Sequence, residues 1–147
     1  MTDWMSLFGS SVDSGVCRLA DVVDAAVVRE AAAAHGLDFS RVDLCGVRDK
    51  AGVLSETARS LGFPPHFGTN WDALNDCLTD MSWRPAAGYV VLFTGLRSFA
   101  GNAAADAEIL TRILGGTACY WKHRGVPFYI ILSERPLPDV DPGEQSV

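Results

Sequence analysis

Three aspartates, Asp72, Asp76 and Asp80, recur every four residues in the stretch FPPHFGTNWDALNDCLTDMSW from Phe63 to Trp83, which contains no Lys or Arg. At helical pitch they fall on one stripe, about 6 Å apart per turn. Carboxylates so placed, with His66 upstream, could work as acid and base or could meet a cation. Acid–base work needs a group whose pKa is shifted by burial or close neighbours. Carboxylates on successive exposed turns stay solvated, so the spacing suits binding better than catalysis. Cys77 as a nucleophile is weaker still, because its place beside Leu78 predicts burial.

A charged stripe is the ordinary outer face of a helix, but that explains the three aspartates unequally. Thr69 and Asp72 have capping-box spacing, and a carboxylate in the first turn is favoured by the helix dipole. Asp76 has no such support. It lies mid-helix, four residues from a like charge on either side, and each such pair costs about 0.2 to 0.5 kcal/mol. Asp80 comes near the C-terminal end, where a negative charge opposes the dipole by about 0.3 to 1 kcal/mol. No basic residue at three or four positions' distance offsets Asp72 or Asp76. The arrangement asks for a cationic partner.

The elements that must hold this stretch can be read on both sides of it. Trp71, Leu74, Leu78 and Met81 have the spacing of a core-facing stripe on the same helix. Asp49 is placed to cap a helix over Lys50 to Leu61, which Gly62 and Pro64-Pro65 end. Val42 to Val47, Gly88 to Leu96 and Val126 to Ser133 read as strands, the last two apolar enough to be covered on both faces. Ala103 to Arg124 is the longest helical pattern, and Gly115-Gly116 makes a bend or two shorter helices as reasonable as one rod. Gly15 to Leu19 is a short strand candidate, and Asp21 to His35 a helix stopped by Gly36. His35 and His123 sit beside helix-ending glycines. Strands alternating with helices predict an α/β fold with a small parallel sheet.

Residues 1 to 14 read as an irregular arm that packs through its aromatic residues, and residues 134 to 147, with three prolines and four acids, as a disordered acidic tail. At 147 residues the chain has the size of one domain. A net charge of −6 speaks against nucleic acid as a partner. No apolar run reaches the roughly 18 residues of a bilayer span, and MTDWMSLF lacks a basic leader, so the expected setting is cytoplasmic, without a membrane contact. Cys17, Cys45, Cys77 and Cys119 show no metal-ligand spacing and read as buried thiols. No metal or cofactor is called for, and no GxGxxG or Walker sequence follows any strand.

At this point PPHFGTNWDALNDCL resembles the signature of the barstar family, intracellular inhibitors of microbial guanyl-specific ribonucleases. The likeness continues in order through VDLCGV, YVVLF and GVPFYIILS, from about Val42 to Ser133. It divides the chain into an extension over 1–41, a barstar-like domain over 42–133 and the tail. It implies a three-stranded parallel sheet flanked by helices, with a fourth edge strand available from the extension. It also implies a non-enzymatic role: carboxylates placed where RNA phosphates would sit plug a ribonuclease active site in a 1:1 complex with a monomeric inhibitor. On that model Asp76 is the central phosphate mimic and Asp72 the second. His66, Phe67, Gly68 and Asn70 line the rim.

Three positions depart from the family pattern. His66 stands where a Tyr is usual, Asn75 where a Trp lies between the two aspartates, and Tyr120 where the best-known members carry an acid on the last helix. Asp80 is a candidate for the missing charge. These departures motivate an alternative, an adaptor that kept the fold and binds a different basic protein.

Overall fold

The computed structural model describes residues 3–9, 15–20, 23–64 and 69–135. His66, Phe67 and Gly68, and the tail from residue 136 onward, lie outside the described residues, as do Asp21 and Val22 at the start of the expected first long helix. The element order is α1 (Trp4–Phe8), β1 (Val16–Leu19), α2 (Ala25–Ala34), β2 (Asp38–Asp43), α3 (Lys50–Leu61), α4 (Trp71–Leu78), β3 (Tyr89–Thr94), α5 (Leu96–Asn102), α6 (Ala104–Lys122) and β4 (Phe128–Ser133).

All strand pairs are parallel and the sheet order is β1-β4-β3-β2. The steps β2 to β3 to β4 move one strand at a time in one direction, so right-handed crossovers place α3 to α6 on a single face. The connection from β1 to β2 runs the other way across the whole sheet. The same hand therefore puts α2 on the opposite face. Period-two alternation of the central strands then feeds two cores. Val91, Phe93, Phe128, Ile130 and Leu132 pack with Val53, Leu54, Leu74, Leu78, Leu110 and Leu114 on the α3–α6 side. Val90, Leu92, Tyr129 and Ile131 pack with Trp4, Phe8, Val28, Ala31 and Ala32 on the other.

The N-terminal arm is thus the lid of the second core. Its aromatic residues do pack on the domain, but through a short helix rather than an irregular segment. Phe8 meets Tyr129 edge-on with centroids 4.9 Å apart, the Tyr129 hydroxyl donates to the Leu7 carbonyl, and His35 Nε2 lies 2.8 Å from the Met5 carbonyl oxygen. β1 supplies the fourth, edge strand expected from the extension, so the parallel sheet has four strands.

Several element limits differ from the sequence-based expectations. The strand expected over Val42 to Val47 is β2, Asp38–Asp43. Its apolar continuation is a turn, because Asp43 Oδ1 accepts from Cys45 N–H at 2.9 Å and Gly46 takes φ 85°. β2 is an edge strand, so Asp38, Arg41 and Asp43 suit it where they would not suit a central strand. A helix, α5, occupies Leu96–Asn102, where none was expected. α6 is one continuous helix of 19 residues through Gly115-Gly116. Both glycines are exposed, while Leu114, Thr117 and Ala118 beside them are buried, so tertiary packing offsets their poor propensity. The cysteines are not buried thiols: Cys45 and Cys119 are exposed, and Cys17 and Cys77 half-buried. The α3 helix follows its sequence signals throughout, with Asp49 Oδ1 accepting from Gly52 N–H at 2.8 Å and Gly62 closing it at φ 68°.

Candidate protein-binding face

α4 is short because its caps are strong. Asn70, not Thr69, is the N-cap, with Oδ1 accepting from Ala73 N–H at 2.7 Å. The capping box expected from Thr69 and Asp72 is therefore not the arrangement adopted, although Asp72 still lies in the first turn. At the other end the Thr79 hydroxyl donates to the Asn75 carbonyl at 2.8 Å, and Met81 turns the chain with φ 55°. Leu74, Leu78 and Met81 are buried and Trp71 is half-buried against the same core, as their spacing predicts. Lys50 covers the outer side of Trp71, with its ammonium 6.0 Å from the ring centroid.

Contacts from distant parts of the chain hold the segment in place. The Leu61 carbonyl, at the end of α3, accepts from Trp83 Nε1 at 3.2 Å and from Arg84 Nη1 at 3.3 Å. Arg84 Nε also reaches Asp38 Oδ2 at 2.6 Å, and Phe63 meets Trp83 edge-on. The two ends of the Phe63–Trp83 stretch are thereby joined to each other and to β2. From the far side, Trp121 Nε1 donates to the Leu78 carbonyl at 2.8 Å, which pins the end of α6 to the end of α4. Trp121 and Arg84 have no local sequence signature for this work, since their partners lie 43, 23 and 46 residues away.

What this framework leaves outward is a carboxylate face. Asn70, Asp72, Asn75, Asp76 and Asp80 are exposed. Among the described residues none of these aspartates forms an ion pair, although Asp38, Glu56, Glu108 and Glu134 all do. Asp80 differs from the other two. The helix ends at Leu78, so Asp80 lies beyond its last turn, and its Oδ2 accepts from the Ser82 hydroxyl at 3.2 Å. The expectation that Asp80 has no partner within the chain is thus corrected. Among the described residues the Asp72 and Asp76 carboxylates have no hydrogen-bond or ion-pair partner.

Cys77, on the inner flank of the same helix, has its thiol pushed up by burial first and then by the Asp80 and Asp76 carboxylates. A thiol held protonated is a poor nucleophile. The two cavities of note among the described residues lie elsewhere, one of 410 Å³ bounded by Arg18, Leu96 and Arg112 and one of 310 Å³ between α1 and α2. The described residues hold no group of three or more His, Cys, Asp or Glu placed to bind a metal ion, and no helix among them is long and apolar enough to cross a membrane. Tyr120 is half-buried beside Trp121 on the last turns of α6, and the Arg124 guanidinium stacks over its ring at 3.7 Å. Neither cavity is lined by the α4 carboxylates, and an exposed polar face of this kind can dock a protein.

The comparison with curated proteins finds no match. Among solved structures, that of the Aeropyrum pernix ORC2 protein in ADPNP–ADP complexes superposes with a TM-score of 0.52 and 18% identity, over 84% of this chain and 36% of that one. At that identity the likeness concerns the fold alone, and the chain spans 36% of the length of the protein it matches. The family described as Barstar (barnase inhibitor) matches residues 37–133, which take in β2, β3, β4 and all of α3 to α6. With two thirds of its length, the acidic α4 included, inside that match, the chain belongs to the barstar family.

Proposed function

We propose that this protein is an inhibitor of a secreted guanyl-specific ribonuclease, made in the cell that exports the enzyme and protecting cytoplasmic RNA before export. Asp76 enters the ribonuclease active site as a mimic of an RNA phosphate, with Asp72 beside it and Asn70, Asn75 and the His66–Gly68 segment around them. The observation that carries this reading is Asp76 itself. It is exposed in the last turn of α4 with no ion pair among the described residues, on a helix whose ends and inner face are fully engaged. A helix selected for stability alone gains nothing from such a charge. A desolvating cleft of Arg, Lys and His would turn it into a strong interaction.

Membership of a family of protein inhibitors supports a protein partner, and the raised Cys77 pKa with solvated carboxylates supports binding over catalysis. Opposite charges on the two proteins would steer association, which then slows as salt rises. Titration of the purified chain against a set of secreted guanyl-specific ribonucleases, with RNA hydrolysis as the readout, tests the proposal. The expected result is inhibition that saturates at one inhibitor per enzyme. Failure to inhibit any of them at micromolar concentration would favour an adaptor for a different basic protein.

A further inference from the structure

α4 ends at Leu78, so Asp76 lies in the last turn of an eight-residue helix, where the dipole opposes its charge. A helix that short does not persist on its own, and its last four carbonyls need donors from beyond its own turns. Three are met by the residues that follow. Thr79 N–H and the Thr79 hydroxyl donate to the Asn75 carbonyl at 3.0 and 2.8 Å, and the same hydroxyl lies 3.4 Å from the Asp76 carbonyl. Asp80 N–H and Met81 N–H both donate to the Cys77 carbonyl at 3.1 Å. The fourth carbonyl, that of Leu78, is met from another element, by Trp121 Nε1 of α6 at 2.8 Å. Leu78 is 1% exposed, so water is no substitute for that donor. Trp121 is itself held from the sheet: it stacks on Phe128 at an interplanar angle of 12° with centroids 6.3 Å apart, and lies tilted against Tyr89 at the same distance. The turn that carries Asp76 is therefore tied to the central strands through an indole N–H.

We infer that Trp121 is a positioning residue for the interface. It acts through α4 rather than on the partner: by holding the Leu78 carbonyl it keeps the last turn formed, with Asp76 aimed before the ribonuclease arrives. The inference rests on the inhibitor reading and deepens it. An anchor already in its bound geometry loses less conformational freedom on binding, and that saving appears as slow dissociation. Encounter is steered by charge, which the indole N–H does not alter. Removing this donor shortens the life of the complex and leaves its rate of formation alone.

The test uses Trp121→Phe in the full chain, which keeps an aromatic ring against Phe128 and Tyr89 and removes the donor. Against a guanyl-specific ribonuclease that the wild-type chain inhibits, the variant should dissociate about tenfold faster at an unchanged association rate. In an Asp76→Ala background the same change should cost less than about twofold, because the group it positions is gone. In the free folded protein, amide hydrogen exchange at Thr79, Asp80 and Met81 should quicken about tenfold, while that at Gly52 and Val53 in the first turn of α3 stays as in wild type. Dissociation of Trp121→Phe at the wild-type rate, or the same loss in both backgrounds, overturns the positioning role and leaves the inhibitor reading standing. Unchanged exchange at all three amides does the same. A wild-type chain that inhibits none of a panel of such ribonucleases overturns the inhibitor reading and this inference with it.

Discussion

Truncating Phe8 to alanine probes whether the N-terminal arm is a structural lid remote from the binding face. Phe8 is 5% exposed, stacks on Trp4 at 5.8 Å and meets Tyr129 edge-on at 4.9 Å. A core Phe→Ala change ordinarily costs about 3 to 5 kcal/mol. Here the loss has a ceiling. α1 has five residues, far too few to persist as an isolated helix, so the segment would come away once its docking is no longer favourable. The expected loss is about 3 kcal/mol, near the lower end, and Trp4→Ala added to Phe8→Ala should cost less than about 1 kcal/mol more. Urea denaturation of the two single variants and the double variant measures both. Ribonuclease inhibition should be unchanged while the protein is folded, since α4 packs on the opposite face of the sheet. A loss below about 1 kcal/mol, full additivity, or impaired inhibition would refute the reasoning.

Three further outcomes follow from local geometry. Gly95→Ala should destabilise by at least about 2 kcal/mol in thermal unfolding, because Gly95 has φ 75° and an added Cβ would stand 2.9 Å from Cys45 N. Asp80→Asn, which on sequence grounds should raise the melting temperature, is expected to leave stability within about 0.5 kcal/mol, since the Ser82 hydroxyl bond offsets the unfavourable charge. Alkylation followed by mass spectrometry near pH 8 should modify Cys45 and Cys119 well before Cys77 and Cys17. The latter two are half-buried with thiols pushed up by burial, which lowers the reactive thiolate fraction at any given pH.

The fold was legible where local signals and packing agreed. α3 runs from its Asp49 cap to its Gly62 stop, and the apolar runs of β3 and β4 form the two central strands. It was illegible where an edge strand is polar, as in Asp38–Asp43, and where a five-residue helix such as α1 offers no period to detect. The double-sided core could not be seen in advance either, because it follows from the backward crossover between β1 and β2 rather than from any segment. In the site, the stripe of carboxylates was visible from spacing alone. The Trp121 and Arg84 contacts that hold its helix join residues far apart in sequence, and the Ser82 partner that sets Asp80 apart depends on where α4 ends.

The central claim is that Asp76 is the anchor of a protein interface. It is tested most directly by comparing Asp76→Ala and Asp80→Ala in inhibition titrations against a ribonuclease that the wild-type chain inhibits. Asp76→Ala should cost at least about 2 kcal/mol of binding, roughly thirtyfold, as expected of a desolvated charge at the centre of an interface. Asp80→Ala should cost less than about 1 kcal/mol, as for a charge at the rim. Equal losses, or a larger loss at Asp80, would contradict the account.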